Sequence, residues 1–260
     1  MPSYDEIYAH LERHVDDLKT NKTGDERQTD AEVFDKQTLL VIYDFMTAGY
    51  VDSVHYTIST GKEGNVFYVT DEDDEPFALK IFRTSTSTFK RVSKYIEGDP
   101  RFKGLCGNRR KLIYAWTNKE FKNLQRYHVN GIRVPEPIEF EKNCLLMEYI
   151  GDKNGPAPQL KDAELKRPNM TYKECISFIV DGYKKAHLIH GDLSEYNILM
   201  WKDKPVLIDC GQALTSDHFN AKDFLMRDIN NINRFFKNKG VDIIDPEEIL
   251  EKTMNGSEKQ

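Results

Sequence analysis

H-G-D-L-S-E-Y-N, residues 190–197, runs directly into I-L-M-W-K-D-K-P-V-L-I-D, residues 198–209, and this stretch decides the fold. Two apolar segments flank the polar turn K-D-K-P, a pattern that predicts a β-hairpin. Asn197 opens the first strand and Asp209 closes the second. Because antiparallel pairing brings the open ends of a hairpin together, we expect these two side chains to lie side by side.

The polar residues of this stretch suit phosphoryl-transfer chemistry. Asn197 and Asp209 offer the oxygen ligands that Mg²⁺ prefers, and phosphate oxygens would complete the set. Asp192, which precedes Asn197 in the loop, is placed to orient or deprotonate an attacking hydroxyl or water. We expect His190 to bind backbone near Asp209 rather than to take part in chemistry. The alternative, a loop of solvated acids with a capping Asn, does not account for the whole conjunction of loop, hairpin and Asp.

A Gly-containing segment, S-T-G-K-E-G-N-V at residues 59–66, is predicted to connect two strands. Gly61 and Gly64 carry no Cβ, so the backbone N–H groups around them could approach phosphate oxygens. The segment does not complete either of the common Gly-rich phosphate motifs, and taken alone it is more typical of an ordinary hairpin.

The next strand, F-A-L-K-I-F at residues 77–82, places a lysine within an apolar pattern of period two. Ala78, Lys80 and Phe82 are predicted to share one face of the sheet. A buried lysine is unfavourable unless a negative group meets it. One interpretation places Ala78 under a nucleotide base and Lys80 on its phosphates. The alternative is an edge-strand lysine that extends to solvent.

A helix predicted at about residues 111–130 carries an acid on its apolar face. The apolar stripe of this helix contains Ile113, Trp116, Leu124 and Tyr127. Glu120 falls inside that stripe and therefore needs a cation when buried. Pairing Glu120 with Lys80 satisfies both charges, whereas a surface pair with Lys119 or Arg126 is the alternative.

The order of elements predicts an α+β protein with two lobes around a cleft. Residues 1–50 are predicted to form a helical extension, and residues 51–150 a small β-rich lobe. A flexible, basic and Ser/Thr-rich insertion is predicted at about residues 83–110. Residues 151–260 are predicted to form the helical lobe. A further helix is predicted to begin at Thr171, because Glu174 completes a capping box.

Composition excludes several other classes of protein. The net charge of −6 argues against a general nucleic-acid coat. No apolar run is long enough for a membrane span, and no apolar segment follows the charged N-terminus as in a secretory signal. The four cysteines form no C-x-x-C pair, so we expect no zinc site or disulfide framework and a cytoplasmic location.

These stretches together resemble the RIO atypical serine/threonine protein kinases, type-one branch, of an archaeal kind. The resemblance covers roughly residues 30–240. It rests on S-T-G-K-E-G-N-V-F at 59–67, F-A-L-K-I-F at 77–82, K-E-F-K-N-L at 119–124, H-G-D-L-S-E-Y-N at 190–197, I-D-C-G-Q at 208–212 and F-L-M-R-D-I-N-N-I at 224–232.

The resemblance implies a two-lobed kinase fold that binds ATP with Mg²⁺ or Mn²⁺. It implies autophosphorylation on Ser/Thr, a role in maturation of the small ribosomal subunit, and ATPase activity through an aspartyl-phosphate on Asp209. By matching positions, Lys80 and Glu120 form an ion pair and Asp192 is catalytic. Asn197 and Asp209 are the implied metal ligands.

The remaining predicted contacts to ATP come from the Gly-containing segment and from a hinge, L-M-E-Y-I-G at residues 146–151, whose backbone would bind adenine. The predicted ATP-binding residues are Ser59, Thr60, Gly61, Lys62, Glu63, Gly64, Val66, Ala78, Lys80, Met147, Glu148, Ile150 and Asn197. Candidate phosphorylation sites within residues 84–110 are Ser85, Ser87 and Ser93.

Two departures from ordinary protein kinases limit the expected substrates. Ser194 stands where those kinases carry a catalytic-loop lysine, and no A-P-E block or long activation segment follows Asp209. We therefore expect slow phosphoryl transfer or a switch-like ATPase rather than a general peptide kinase. The alternatives are a small-molecule phosphotransferase of the aminoglycoside and choline kinase type, and a nucleotide-binding scaffold without catalysis.

Overall fold

The structure, a computed structural model, describes residues 35–84 and 108–255. These residues divide into two compact units. Unit 1 comprises the described residues up to Phe121 together with Pro137–Tyr149, and unit 2 comprises Lys122–Glu136 and the described residues from Ile150 onward.

Unit 1 is built on a sheet and two helices. Its elements are α1 (Lys36–Thr47), β1 (Ser53–Thr60), β2 (Gly64–Thr70), β3 (Pro76–Phe82), the first half of α2 (Arg109–Val129), β4 (Pro137–Glu141) and β5 (Cys144–Glu148). The sheet is antiparallel throughout, with strand order β1-β2-β3-β5-β4.

Helix α1 covers one face of this sheet. Asp35 caps it by accepting a hydrogen bond from the Thr38 backbone N–H at 2.9 Å. Past its end, Gly49 adopts a φ of 78°, a left-handed conformation that glycine permits after a helix. The shared core of α1 and the sheet includes Leu39, Ile42, Phe45, Phe67, Val69, Leu79, Ile81 and Leu146.

Strand β3 alternates as the sequence predicts. Leu79 and Ile81 belong to the core under α1. The residue between them, Lys80, lies on the opposite face of the strand because successive side chains alternate. Lys80 is nevertheless buried, with 9% of its surface exposed.

Unit 2 is mainly helical, with short two-stranded sheets. Its elements are β6 (Gly151–Asp152), β7 (Gly155–Pro156), α3 (Pro168–Lys184), β8 (Leu188–Ile189), β9 (Ile198–Trp201), β10 (Lys204–Leu207), a 3₁₀ turn (Cys210–Gln212), β11 (Leu214–Thr215), α4 (Ala221–Asn238) and α5 (Pro246–Met254). A buried network joins α3 to α4, because the Tyr172 hydroxyl donates to Asn233 Oδ1 at 2.7 Å.

The start of α3 differs from the prediction. The helix begins at Pro168, whose fixed φ and missing N–H suit the first helical turn. Thr171 lies inside the helix, and its hydroxyl donates to the Arg167 carbonyl at 3.2 Å. The predicted capping box from Thr171 to Glu174 is therefore wrong.

Some predictions fall outside the described residues. Residues 1–34 of the extension and 85–107 of the insertion, including Ser85, Ser87 and Ser93, lie outside them. The predicted domain bounds stay a prediction. The two compact units are defined by packing, and each combines separate stretches of the chain. Among the described residues, no helix is both long and apolar enough to cross a membrane.

Candidate active site

The predicted lysine and glutamate of unit 1 lie in contact. Lys80 Nζ donates to Oε1 and Oε2 of Glu120 at 2.7 and 2.9 Å. Glu120 is only 1% exposed, so the pair is almost completely removed from water. Each charge lowers the cost of burying the other, which explains why a polar pair persists in this core. A surface pair of Glu120 with Lys119 or Arg126 is not what forms.

The Gly-containing segment is a tight loop between β1 and β2. It spans only Gly61–Glu63, and the Gly61 N–H donates to the Gly64 carbonyl at 2.9 Å. A Cβ on Gly64 would lie 2.2 Å from the Ile81 carbonyl oxygen. Gly64 is therefore required by the close approach of β2 to β3, a structural reason that the sequence alone does not supply.

The predicted hairpin is present in unit 2. Strands β9 and β10 are antiparallel, with Ile198 opposite Leu207. The two residues that connect them, Lys202 and Asp203, have φ values of 50° and 61°. Two positive φ angles define the tight turn that matches the twist of a hairpin, so the loop is shorter than the four residues predicted.

At the open end of the hairpin, Asn197 directly precedes β9 and Asp209 follows β10 by two residues, so neither lies in a strand, contrary to the prediction. The Ile208 N–H donates to the Asn197 carbonyl at 3.0 Å, which extends the ladder to this point. Asp209 then leaves the strand with φ 60° and ψ 56°, in the left-handed region. This conformation is uncommon for a residue with a Cβ and is often held in place at functional sites.

His190 contacts the backbone near Asp209, as predicted. Its Nε2 lies 3.1 Å from the Ile208 carbonyl oxygen, which can only accept, so Nε2 carries the hydrogen. Its Nδ1 accepts from the Asp192 N–H at 3.3 Å. The imidazole therefore links the loop of Asp192 to the end of β10.

Asn197 also fixes Asp192. The Asn197 side-chain nitrogen donates to the Asp192 backbone oxygen at 2.9 Å and lies 3.5 Å from Asp192 Oδ2. Burial raises the pKa of Asp192, and the nearby charge of Asp209 raises it further, while His190, Arg227 and Asn197 oppose the shift. A carboxylate with a raised pKa is better suited to accept a proton.

Two anchors that sequence reasoning missed hold the same loop from α4. Asp228 accepts from the Gly191 N–H at 2.8 Å and from the Leu193 N–H at 2.9 Å. The Asn231 side chain donates to the Leu193 carbonyl at 3.1 Å. Burial raises the pKa of Asp228 to about 6. A signal was present, because Asp228 lies among the buried apolar residues of an amphipathic helix.

The donor set around Asn197 and Asp209 fits a magnesium ion. Because the Asn197 amide nitrogen is bound to Asp192, its Oδ1 is the atom that could bind a cation. Within residues 35–84 and 108–255, no cluster of three or more His, Cys, Asp and Glu is arranged to hold a metal. Mg²⁺ requires no such cluster where it takes one or two protein ligands plus phosphate oxygens.

The predicted base-binding residues are distributed between the units. In unit 1, Ala78 is buried and pairs with Met147 of β5, and Phe77 pairs with Glu148. In unit 2, the Ile150 carbonyl accepts from the Ala157 N–H at 2.8 Å. The adenine contacts of these residues stay a prediction.

The chain matches a known family over most of its length. A model of the RIO domain matches residues 65–249. The chain is 38% identical to the RIO-type serine/threonine-protein kinase Rio1 of Haloferax volcanii, covering 92% of this chain and 82% of that protein. It is 37% identical to the Rio1 kinase of Methanocaldococcus jannaschii, covering 91% and 78%. It is 36% identical to human serine/threonine-protein kinase RIO1, covering 90% of this chain but 42% of that longer protein.

Solved structures show the same fold at lower identity. The Rio2 kinase of Chaetomium thermophilum has a TM-score of 0.70 at 23% identity, covering 100% of this chain and 88% of that one. The ADP/Mg²⁺-phosphoaspartate complex of that kinase has a TM-score of 0.66 at 22% identity, covering 97% and 87%. These likenesses establish the two-lobed, α+β kinase-like fold predicted from the sequence. Together with the family match, they show that the chain belongs to the RIO family of atypical serine/threonine-protein kinases, in its Rio1 branch.

Proposed function

We propose that this kinase transfers the γ-phosphoryl group of ATP, with Mg²⁺, both to its own Ser/Thr residues and to water. The observation that carries the proposal is the arrangement of Asp192, Asn197 and Asp209 on one loop and hairpin of unit 2. Three hydrogen-bonded anchors, from His190, Asp228 and Asn231, hold that loop. Catalytic groups need this kind of fixed geometry, because positioning supplies a large share of phosphoryl-transfer catalysis.

Lys80 is proposed to bind the phosphates of ATP. The bond to Glu120 fixes the ammonium group on the face of β3 that also carries Ala78. In that position the lysine would provide a positive charge without the entropy cost of ordering a flexible side chain. Ser59, Thr60, Gly61, Lys62, Glu63, Gly64 and Val66 are proposed to contact the phosphates from the β1–β2 loop, and the hinge residues Met147, Glu148 and Ile150 to contact adenine.

Asp192 is proposed to act on the attacking hydroxyl group. Its raised pKa, caused first by burial, favours proton uptake during transfer. Asn197 and Asp209 are proposed to hold the metal through Oδ1 and the carboxylate. A metal ion bound there would neutralise charge that develops on the phosphate oxygens. Mn²⁺ is proposed to bind in the same position.

The acceptor is proposed to be limited to this chain, water and a specific partner. Ser194, in the position of the lysine of ordinary kinases, accepts from the Tyr196 N–H at 3.4 Å and offers no positive charge. Helix α4 follows closely on Asp209, so the described residues form no long activation segment. Turnover should therefore be slow. An aspartyl-phosphate on Asp209 is the proposed intermediate of hydrolysis, and a cytoplasmic role on the pre-ribosomal small subunit is the proposed context.

The test is ADP formation by the purified chain in Mg²⁺ and ATP, with and without metal chelation. We expect slow, chelator-sensitive release of ADP from the wild type. The variants Asp192→Asn and Asp209→Asn should each lose this activity, and addition of generic peptides should not increase it. Metal-independent release of ADP, or strong turnover of added peptides, would overturn the proposal.

A matched control is available on the surface of the same unit. Asp203 lies at the exposed tip of the hairpin and bonds only to Lys166, at 3.0 Å, among the contacts of the described residues. Asp203→Asn removes one acid from the same hairpin without touching the loop of Asp192. It should retain wild-type release of ADP.

A further inference from the structure

Asp209 lies between two peptide carbonyls that are both held by buried side chains. On one side, the Ile208 carbonyl accepts from His190 at 3.1 Å. On the other side, the Cys210 carbonyl accepts from the side-chain nitrogen of Asn123 at 2.8 Å. The left-handed conformation of Asp209 is thus enclosed by two side-chain-to-backbone bonds. Asn123 has no role in any of the functional assignments made above.

Asn123 is buried at a position where a polar side chain is stable only if it has a hydrogen-bond partner. It is 2% exposed, and it lies in α2 beside the apolar residue Leu124. Burial of an amide without a hydrogen bond would cost about 1–3 kcal/mol. Its bond to Cys210 spans 87 positions of sequence, so this contact is a tertiary one and not a helix cap. Glu120, the partner of Lys80, lies three residues earlier on the same helix.

We propose that Asn123 is a positioning residue that holds the Asp209 carboxylate in the orientation needed to bind the metal. The inference rests on the proposed function, because it assumes that Asp209 binds Mg²⁺. A residue with a Cβ in the left-handed region relaxes toward other conformations unless neighbouring contacts oppose the change. The Asn123 amide fixes the Cys210 carbonyl and with it the peptide plane that follows Cys210. The backbone on the C-terminal side of Asp209 therefore cannot rearrange without breaking this bond.

The expected consequence is specific to the metal. Loss of the amide donor would leave Lys80 and the base-binding residues in place, so ATP or ADP without metal should bind as before. The carboxylate of Asp209 would sample several orientations, so a metal that demands near-ideal octahedral geometry would bind more weakly. A purely structural role of Asn123 would lower stability and leave this metal dependence unchanged.

The test uses Asn123→Leu, which removes the donor at similar volume. Isothermal titration would measure ADP affinity with and without Mg²⁺, and ADP release would be followed against Mg²⁺ concentration at saturating ATP. In this variant we expect the Mg²⁺ enhancement of ADP affinity to fall about tenfold. We expect half-maximal activity to require about tenfold more Mg²⁺, with metal-free ADP affinity unchanged; a tenfold change corresponds to about 1.4 kcal/mol.

The control is Asn233→Leu. Asn233 is 3% exposed, and its side-chain nitrogen donates to the Ile244 carbonyl at 2.9 Å, so this variant also removes a buried amide donor to a backbone carbonyl, together with the acceptor of the Tyr172 hydroxyl. This variant should lose stability and keep the Mg²⁺ dependence of the wild type. If Asn123→Leu and Asn233→Leu shift the Mg²⁺ dependence equally, or neither shifts it, the inference is overturned. If the wild type itself gains no affinity for ADP from Mg²⁺, the proposed function fails instead.

Discussion

The two units each bury a charge, and they stabilise it in different ways. In unit 1, Lys80 is met by the opposite charge of Glu120 at 2.7 Å. In unit 2, Asp228 is 1% exposed and is met by two backbone N–H groups of the loop that carries Asp192. An ion pair neutralises charge, whereas neutral donors only solvate it.

This difference has a functional meaning. The Lys80–Glu120 pair holds one side chain in position, and its failure would leave an unpaired charge in a core. The contacts of Asp228 hold a backbone, and burial raises the pKa of this acid to about 6, so its charge can be lost in mild acid. In unit 1 the buried contact therefore fixes a charged side chain. In unit 2 it fixes a backbone loop, and the order of that loop depends on the ionisation of Asp228.

The largest effect is expected at Asp192, which belongs neither to the Lys80–Glu120 pair nor to the contacts of Asp228. Asp192→Asn should reduce ADP release about 10²–10⁴-fold, because general base catalysis contributes about that much. Stability should not fall, since burial already disfavours the ionised form of Asp192, as its raised pKa indicates. Enzyme assay and urea denaturation of the same preparation would measure both. A loss of stability that parallels the loss of activity would place Asp192 among the structural anchors.

The next effect tests the ion pair of unit 1. Lys80→Met should destabilise the chain by about 3–5 kcal/mol, because Glu120 is left buried without its cation. The double variant Lys80→Met/Glu120→Leu should recover most of that stability and none of the activity. Urea denaturation and ADP release would be compared for the wild type and both variants. Recovery of activity in the double variant would show that Lys80 serves the fold alone.

The third effect tests the anchor of unit 2. Asp228→Asn retains one carbonyl oxygen but turns an N–H donor toward the loop, so one of the two loop N–H groups loses its acceptor. A lost buried hydrogen bond of this kind costs about 1–3 kcal/mol. We expect a reduced maximal rate of ADP release with unchanged affinity for ADP. Unaltered rates in this variant would separate Asp228 from the catalytic loop.

The pH dependence of Asp228 gives the same comparison another test. Its folded pKa of about 6 lies above the unfolded value of about 4, so this group favours folding most below pH 4. That contribution is lost as pH rises through about 6. Activity should change in the opposite direction and fall below pH 6, since the protonated acid cannot hold both N–H groups. The acid limb near pH 6 should move to lower pH in Asp228→Asn.

The smallest effect concerns the β1–β2 loop. Gly64→Ala would place a Cβ 2.2 Å from the Ile81 carbonyl oxygen, so we expect a loss of about 1–3 kcal/mol. Gly61→Ala would place its Cβ 3.2 Å from the Gly64 carbonyl oxygen, and we expect a change within about 0.5 kcal/mol. Urea denaturation would rank the two. Equal losses would contradict the distinct steric roles assigned to these glycines.

Features that depend on local pattern were predicted well from the sequence. The apolar strand around Lys80 and the acid within the stripe of α2 each created an unfavourable burial, and their pairing is present. The hairpin of β9 and β10 followed from two apolar runs and a turn. In each case a buried charge required an opposite charge, or two apolar runs around a turn required each other as strand partners.

Features that depend on a backbone partner were not predicted. Asp228 lies within the apolar face of α4 much as Glu120 does in α2, but its partners are N–H groups, which every residue carries. Asn123 is similar, since its partner is a carbonyl 87 positions away. The start of α3 at Pro168 was also missed, because Thr171 and Glu174 matched a capping pattern that the chain does not use.

The most direct test of the account is mass spectrometry of the wild type and Asp192→Asn after incubation with ATP and Mg²⁺. We expect phosphate on the wild type, as stable phosphoserine or phosphothreonine or as a hydroxylamine-sensitive group on Asp209. We expect no phosphate on the serines and threonines of Asp192→Asn. Absence of any phosphate or ADP from the wild type, or equal labelling of the two proteins, would contradict the account.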